Sequence, residues 1–247
     1  MKKLLSLLSL SLLLTAGCQT SQNCNCPAPE PAQACTPQPA QAAQDEAKQA
    51  APQDETKQAA PQANKTPIEP GAPEIALPKP LPASASLTES LQKRRSIRQY
   101  TDEMISLEQL SALLWSAYGI NREDGKRTAP SARNLQSVTL YVMFEKGAYK
   151  YDHTAHKLIQ VSSDDLRPVK AAPVEILFTS TFENEVIRGI DAGVIAQNLA
   201  LYCASEDLAT VIRMQRGEPA ELQAALKLDS KDMPVLNMAV GFEQTQQ

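Results

Sequence analysis

The sequence RRSIRQY at residues 94–100 places three guanidinium groups and one hydroxyl group within five residues. A phosphate monoester carries up to two negative charges and three acceptor oxygens, and arginine forks beside a short hydroxyl donor suit it. About thirty residues later, PSARN at residues 130–134 offers an amide side chain among small residues, which allow a flat polar ring to approach the backbone. Either stretch alone is compatible with a solvated charged surface, but the two together indicate a site for a phosphorylated ring.

Two further segments complete a pattern that resembles the nitroreductase family of flavoproteins. They are LLWSAYGINR at residues 113–122 and DAGVIAQNL at residues 191–199. The resemblance extends over residues 86–241 and is closest to small bacterial members grouped with the azoline-oxidising dehydrogenases. It implies an α+β fold, with a mixed or antiparallel sheet flanked by helices, and a homodimer that binds FMN between its subunits. The implied activity is two-electron transfer through flavin N5 to or from a small organic substrate.

The resemblance also implies which residues contact the cofactor. Arg94 corresponds to the residue that binds the FMN phosphate, and Arg98 to the basic position near the pyrimidine edge, where positive charge stabilises the reduced, anionic flavin. Asn134 corresponds to an amide at the polar edge of the ring, and residues 210–214 to a strand whose backbone amide faces N5. No catalytic side chain is assigned, because the flavin itself carries the chemistry. The implied contacts are Arg94, Arg95, Ser96, Arg98, Pro130, Ser131, Ala132, Asn134, Val211, Ile212 and Arg213.

Two departures from the family pattern concern the end of the chain. Met214 stands where many members have glycine, and residues 241–247 contain none of the basic side chains that hold the phosphate in relatives. Arg213 or Arg216 could compensate, or the affinity for phosphate could be reduced. Two functions therefore stay open: an FMN-dependent oxidoreductase, and a binding or scaffold protein on the same fold without redox activity.

The first residues have the features of a bacterial lipoprotein signal peptide. Two lysines precede an apolar run at residues 4–14, which is too short to span a bilayer as a helix, and Ala-Gly then precedes Cys18. The sequence predicts a signal peptide at residues 1–17 and lipidation of Cys18, which would anchor the protein to the cell envelope on its periplasmic or outer face. Because Thr15 replaces the usual aliphatic residue, an ordinary secretory peptide cut near Ala16 is the alternative.

Residues 18–83 have the composition of a disordered tether. They are rich in Ala, Gln and Pro, contain no aromatic residue, and repeat QDEAKQAAP at 44–52 as QDETKQAAP at 53–61. Such a segment buries too little apolar surface to offset its conformational entropy. The folded, nitroreductase-like domain is therefore predicted at residues 84–247. At the envelope NAD(P)H is scarce, so a quinol, the substrate itself or another redox protein are alternative electron donors.

The cysteines and histidines predict no metal site. Cys24, Cys26 and Cys35 lie in the predicted tether, where disulfides or intermolecular pairing are simpler outcomes than metal binding. His153 and His156 are the two histidines of the chain, and they are predicted in a solvent-exposed turn of a hairpin. Two histidines exclude a three-histidine zinc site. The net charge of −4 and the small size of the basic cluster argue against nucleic-acid binding.

Local patterns predict the elements between these motifs. Ser86 is placed to cap a helix that ends near Lys93, and Ser106 begins a capping box for a helix that ends at Gly119. Further helices are predicted at residues 185–204 and 219–226. Strands are predicted at residues 137–144, 148–151, 157–161, 173–181, 208–214 and 235–240.

The predicted helix at residues 185–204 is apolar on more than one side. Such a pattern favours a helix enclosed by its own domain and by a second subunit. Asp191, Gln197 and Asn198 lie within it, and we expect them to pair with neighbouring helix ends or with a subunit interface rather than to act in catalysis. Cys203 is expected to be a small core residue.

Overall fold

The computed structural model describes residues 65–215 and 219–245, whose centre is a seven-stranded sheet. In chain order the strands are β1 (Glu74–Ala76), β2 (Val138–Phe144), β3 (Gly147–Asp152), β4 (Lys157–Ser162), β5 (Val174–Ser180), β6 (Leu208–Met214) and β7 (Met233–Phe242). Their order across the sheet is β1-β4-β3-β2-β5-β7-β6, and each neighbouring pair is antiparallel. Of the two sheet types expected, the structure has the antiparallel one.

Helices cover both faces of the sheet, which confirms the α+β class. They are α1 (Leu87–Lys93), α2 (Leu107–Tyr118), α3 (Glu185–Ser205) and α4 (Pro219–Ala225). Side chains of α2 and α3 form the main core with one face of the sheet, whereas Leu222 of α4 and Leu226 pack on the other face. Among the described helices, none has the length and apolar character needed to cross a bilayer.

Local sequence signals determine where the first two helices begin. Glu89 N–H donates to Ser86 Oγ at 3.2 Å, and Ser86 N–H donates to Glu89 Oε2 at 2.8 Å. Ser106 and Gln109 form the same reciprocal pair, at 3.1 and 2.9 Å. Because each capping box satisfies two backbone N–H groups that lack an intrahelical partner, both predicted helix starts are confirmed. The predicted end of α2 at Gly119 is confirmed as well.

The main core lies between the sheet and the pair α2 and α3. Cys203 is completely buried in it, as predicted, and burial raises the pKa of its thiol, so that the side chain stays protonated. The largest fully buried side chains are Tyr118, Tyr149, Phe144, Phe178, Ile105, Leu110, Leu113, Leu114, Leu140, Met143, Leu158 and Ile176.

Residues 65–84, here called the N-terminal strap, form an ordered part of the domain. The prediction that the disordered tether extends to residue 83 is therefore wrong for residues 65–83, while residues 1–64, with the predicted signal peptide and Cys18, lie outside the described residues. Strand β1 pairs with the edge of β4, and Thr66 Oγ1 donates to Glu108 Oε1 at 2.6 Å. At the other end, Ser84 N–H donates to Glu206 Oε1 at 2.7 Å.

Two apolar side chains explain why the strap folds in spite of its prolines. Ile68 and Leu77 are buried in the main core, with 7% and 9% of their surface exposed. Extended backbone is compatible with proline, and the backbone N–H groups that remain find partners: Leu77 N–H donates to His156 O at 3.2 Å. The average composition of the segment cannot reveal such contacts, because the burial of Ile68 and Leu77 depends on core residues that lie far away in the sequence.

We predict that Leu77→Ala lowers the free energy of unfolding by about 2–3 kcal/mol, because it removes a buried side chain from the core. Leu81→Ala is the matched control: Leu81 lies in the same strap with 47% of its surface exposed, and its loss should cost less than about 0.5 kcal/mol. Urea unfolding of both variants measures the difference. Equal stabilities would show that the strap contributes nothing to the fold.

Candidate functional site

The arginine segment, residues 94–100, lies along the outer edge of β6. Ile97 N–H donates to Thr210 O at 2.9 Å, and the hydroxyl of Tyr100 donates to Ile97 O at 2.7 Å. Tyr100 is buried with Ile97 against the sheet and forms an antiparallel bridge with Glu243. Because the side chains of Ile97 and Tyr100 point inwards, the polar ones between and before them stay exposed; they are Arg94, Arg95, Ser96, Arg98 and Gln99.

The exposed side chains of the segment differ in their partners. Arg95 Nη2 forms an ion pair with Glu243 Oε2 at 2.5 Å. Within the described residues, the side chains of Arg94 and Ser96 form no hydrogen bond or ion pair. Both are therefore available to donate hydrogen bonds to a ligand. Arg98 contributes to a pocket.

That pocket is open, has a volume of about 790 Å³ and lies beside the end of β6. The volume falls in the range typical of small-molecule sites. Four residues that the sequence named as cofactor contacts share it: Arg98, Val211, Ile212 and Arg213. The structure adds five more lining residues, which are Pro168, Val169, Met214, Gln215 and Asn237.

The charge of the pocket suits an anionic ligand with polar edges. It contains the guanidinium groups of Arg98 and Arg213. Nη1 of Arg213 is buried and has no hydrogen-bond partner among the described residues. A buried donor without a partner costs about 1–3 kcal/mol, which an acceptor atom of a ligand would recover. Ile212 and Met214, with 43% and 81% of their surface exposed, provide apolar contacts beside these donors.

A buried carboxylate, Glu175, supports the floor of this pocket. Its Oε2 accepts a hydrogen bond from Nδ2 of Asn237 at 2.9 Å, and its Oε1 accepts one from Val169 N–H at 3.0 Å. Burial raises the pKa of Glu175 to about 7, although the Asn237 hydrogen bond and the charge of Arg213 oppose the shift. Sequence analysis missed this residue and Asn237, yet one signal was available: Glu175 is a lone carboxylate within the apolar stretch PVEILF at residues 173–178.

The second predicted site segment, residues 130–134, forms a tight loop against α3. The buried carboxylate of Asp191 accepts the backbone N–H of Ala132, at 3.1 and 3.2 Å from its two oxygens. Arg133 and Asn134 have φ angles of 53° and 55°, a left-handed conformation that is uncommon outside glycine and often marks a functional site. Asp191 therefore fixes a strained loop, which agrees with the expectation that it has a structural role.

The predicted site residues thus separate into two groups within one chain. Arg98 and residues 211–213 line the pocket, and the rest of the arginine segment adjoins the same edge of β6. Residues 130–134 are absent from the pocket lining of their own chain. Arg216, which was considered as a compensating base, lies outside the described residues.

The two histidines lie in the predicted turn of a hairpin, between β3 and β4, but the prediction that they are exposed to solvent there is wrong. His153 Nε2 lies 2.8 Å from Nη2 of Arg127, and His156 Nε2 lies 2.7 Å from the hydroxyl of Ser111. Nδ1 of His156 also lies 2.9 Å from the hydroxyl of Tyr151. Tertiary contacts half-bury both rings, and this burial lowers the pKa of each imidazole. Across residues 65–215 and 219–245, no group of three or more His, Cys, Asp or Glu side chains could hold a metal ion.

Comparison with known proteins identifies the family. The model of the nitroreductase family matches residues 91–242. The protein MJ1384 of Methanocaldococcus jannaschii, which carries the name of a nitroreductase, is 29% identical over 181 residues, or 63% of this chain and 90% of that protein. An FMN reductase [NAD(P)H] of Bacillus subtilis is 27% identical over 175 residues, which span 62% of this chain and 64% of that relative.

A solved structure agrees with these relatives. The crystal structure of a Ralstonia eutropha JMP134 protein, described as a nitroreductase, superimposes with a TM-score of 0.67 and 29% identity, covering 74% of this chain and 95% of the other. The matched range includes the arginine segment, the tight loop at residues 130–134 and strand β6. The chain therefore belongs to the nitroreductase family, and its relatives support an oxidoreductase function that uses a flavin.

Proposed function

We propose that the protein uses FMN to transfer two electrons, as hydride at flavin N5, to or from a small organic substrate. The observation that carries this proposal is the convergence of Arg98 with residues 211–213 on one pocket, in which a buried donor of Arg213 lacks a partner. The sequence contains no glycine-rich dinucleotide turn, which favours FMN over FAD. The Bacillus subtilis relative named as an FMN reductase supports the same choice.

The arginine segment is proposed to hold the phosphate end of the cofactor. The guanidinium of Arg94 and the hydroxyl of Ser96 are exposed and unpaired in the described chain, so they are free to bind phosphate oxygens. The side chain of Arg95 is already paired with Glu243, so Arg95 would contribute its backbone amide. Arg98 would place its positive charge near the pyrimidine edge of the ring, where it favours the reduced, anionic flavin.

A homodimer would complete the site. Residues 130–134 do not line the pocket of their own chain, so a second copy is proposed to supply this loop, with Pro130, Ser131, Ala132 and Asn134 against the ring. Helix α3 offers a face for such contact, because Val186 and Ile190 have 70% and 59% of their surface exposed. Isolated exposed side chains are common, but an apolar helix face of this kind is typical of an interface.

The protein is further proposed to be anchored to the cell envelope through lipid on Cys18. The support is the Ala-Gly-Cys sequence after a short apolar run with basic residues before it. At that location the electron donor would be NAD(P)H only if the nucleotide reaches the envelope; a quinol, the substrate or another redox protein are the alternatives.

One observation favours the second function, a binding or scaffold protein without redox activity: Met214 replaces the glycine of many family members and is 81% exposed beside the pocket. The visible spectrum of the purified protein separates the two functions. Flavin bands, with FMN as the flavin released by heat and identified by chromatography, are expected. A colourless protein that cannot be reconstituted would support the scaffold, and FAD as the sole flavin would contradict the assignment of the arginine segment to a phosphate monoester.

We predict that Arg94→Ala weakens FMN binding about ten- to a hundredfold, because a charge-assisted contact to phosphate is worth roughly 1.5–3 kcal/mol. Arg133→Ala is the matched control: Arg133 is an exposed arginine in the tight loop with no expected phosphate contact, so its loss should change affinity little. Arg98→Ala should keep most of the affinity but lower the reduction potential. Fluorescence titration with FMN and a redox titration of each holoprotein measure these effects. Unchanged affinity in the Arg94 variant would show that the phosphate is held elsewhere.

We predict that the protein sediments as a dimer at micromolar concentration and that Ile190→Asp converts it to a monomer with reduced flavin content. A charge introduced on the exposed apolar face of α3 would be buried unpaired in the dimer, which is strongly unfavourable. Leu81→Asp, which alters an exposed apolar residue of the strap, is the control. A wild-type monomer that retains its flavin would contradict both the dimer and the shared site.

We predict that Cys18→Ser abolishes lipidation and releases the protein from membrane fractions, because the thioether-forming residue is lost and more than one acyl chain is needed for stable anchoring. Fractionation after a carbonate wash, followed by mass spectrometry of the mature N-terminus, measures this. A variant that remains in the washed membranes would refute the lipoprotein assignment.

A further inference from the structure

Glu175 is the most deeply buried carboxylate of the described chain, with 0% of its surface exposed. It lies on β5 between β2 and β7, where its cross-strand neighbours Met143 and Ala239 are apolar. An ionised carboxylate in such surroundings is costly unless hydrogen bonds and nearby positive charge compensate it. The side chain is therefore sensitive to any change in the few groups that contact it.

Both hydrogen-bond partners of Glu175 are themselves part of the pocket surface. The Nδ2 group of Asn237 donates to Oε2, and the backbone N–H of Val169 donates to Oε1, while both Asn237 and Val169 line the pocket. A ligand in the pocket could therefore contact either Asn237 or Val169, and each of these residues is hydrogen-bonded directly to the carboxylate of Glu175.

The positive charges of Arg167 and Arg213 both favour the ionised form of Glu175. The two arginines differ in whether a carboxylate pairs with them. Arg167, in the loop before β5, is paired with Asp165 through two contacts of 2.9 Å, and Lys170 shares Oδ2 of that carboxylate at 3.4 Å. These partners lie outside the pocket lining, so the environment of Arg167 does not depend on what the pocket contains. Arg213, on β6, lines the pocket and has no carboxylate in an ion pair within the described residues. The phenol of Tyr100 is also close enough to interact, but burial raises its pKa to about 12, so it is neutral. The remaining neighbours, Asn237 and the amide of Val169, carry no charge.

We propose that Glu175 is a positioning residue that takes up a proton from solvent when FMN occupies the pocket. This inference rests on the proposed FMN site. The bound ring would exclude water from the pocket and accept a hydrogen bond from the unpartnered donor of Arg213, and the phosphate at the arginine segment would add negative charge nearby. Each of these effects disfavours the ionised carboxylate, so the neutral form of Glu175 becomes preferred. By linkage, a ligand that promotes protonation binds more tightly when the proton is already present.

The hydrogen bonds determine which oxygen receives the proton and how Asn237 responds. Oε1 accepts a backbone N–H, which cannot turn to become an acceptor, so the proton goes to Oε2. Oε2 then donates, and the Asn237 amide must turn over so that its Oδ1 accepts this bond. As a result, the amide presents its donor end to the ligand instead of its acceptor end. Glu175 thereby sets the orientation of Asn237 without contacting the flavin.

Glu175→Gln imitates the protonated form, because its Oε1 can accept from Val169 and its Nε2 can donate to Asn237. We expect its affinity for FMN to be nearly constant between pH 6 and 8. The unmodified protein should bind FMN about five- to tenfold more weakly at pH 8 than at pH 6, relative to the variant, since Glu175 has a pKa of about 7 in the empty pocket. Glu69→Gln, which removes an exposed carboxylate of the strap, is the matched control and should behave as the unmodified protein.

The experiment is a calorimetric titration of flavin-free protein with FMN, in two buffers of different ionisation enthalpy, at pH 6, 7 and 8. At pH 7 and 8, proton uptake should be larger in the unmodified protein and in Glu69→Gln than in Glu175→Gln, by roughly half a proton at pH 7. The FMN phosphate also exchanges protons near pH 6, so the difference between proteins is the diagnostic quantity. Infrared difference spectra on FMN binding should show a new protonated carboxyl band in the unmodified protein and in Glu69→Gln, but not in Glu175→Gln.

Thermal unfolding of the flavin-free proteins provides a measurement that does not depend on the cofactor. The folded-state pKa of Glu175 lies above its ordinary value of 4.5, so its stabilisation is fully present below about pH 4.5 and is lost as the pH rises through about 7. The Tm of the unmodified protein, relative to Glu175→Gln, should therefore fall between pH 5 and 8.

The outcomes separate the two levels of inference. If FMN binds and proton uptake is the same with and without Glu175, the coupling is overturned while the FMN site stands. If none of the proteins binds FMN, the proposed function fails and the coupling fails with it. A pH-independent Tm difference would show that Glu175 does not titrate in this range, which also overturns the coupling.

Discussion

The site depends on one backbone hydrogen bond, from Ile97 N–H to Thr210 O, which fixes the arginine segment to the edge of β6. Buried Tyr100 secures the same segment three residues later. Because Ile97 and Tyr100 are held against the sheet, the arginines and Ser96 beside them face outwards. Helix α1, which begins at the capping box of Ser86, ends directly before this segment and positions it at the sheet edge. Seven residues thus convert an ordinary sheet edge into a cationic surface, and the part of β6 that lines the pocket begins one residue after the acceptor of the same hydrogen bond.

Two buried carboxylates carry out the same task at separate places in the domain. Glu175 accepts the amide of Val169 beside the pocket, and Asp191 accepts the amide of Ala132 in the tight loop. Each charge is costly to bury, yet each holds the backbone of a loop that would otherwise be free to move. A carboxylate can accept several such bonds at once, which makes it more effective in this position than an amide. The two buried carboxylates therefore lie where a loop beside the candidate site is held in one conformation.

The sequence predicted those parts of the structure that depend on local interactions. Capping at Ser86 and Ser106 involves residues three positions apart, so both helix starts were located, and alternating apolar residues located the strands. The strap was missed because Ile68 and Leu77 gain their burial from distant elements. The two histidines were placed in an exposed turn because a turn signal carries no information about the residues that pack over it. Glu175 was overlooked for a related reason: only the sheet register brings it beneath the pocket.

The edges of the sheet have a consequence for solubility. Strand β1 of the strap covers the outer edge of β4, and the arginine segment pairs with β6 only at Thr210. Among residues 65–215 and 219–245, nothing else pairs with that side of β6, so residues 211–214 leave an open edge beside the pocket in this part of the chain. Open edges are templates for intermolecular β-pairing and hence for aggregation, and charged side chains are a common protection. Arg98 and Arg213 supply that charge here. Because a bound ligand would also cover this edge, loss of the ligand should expose the protein to self-association through the strand that forms its site.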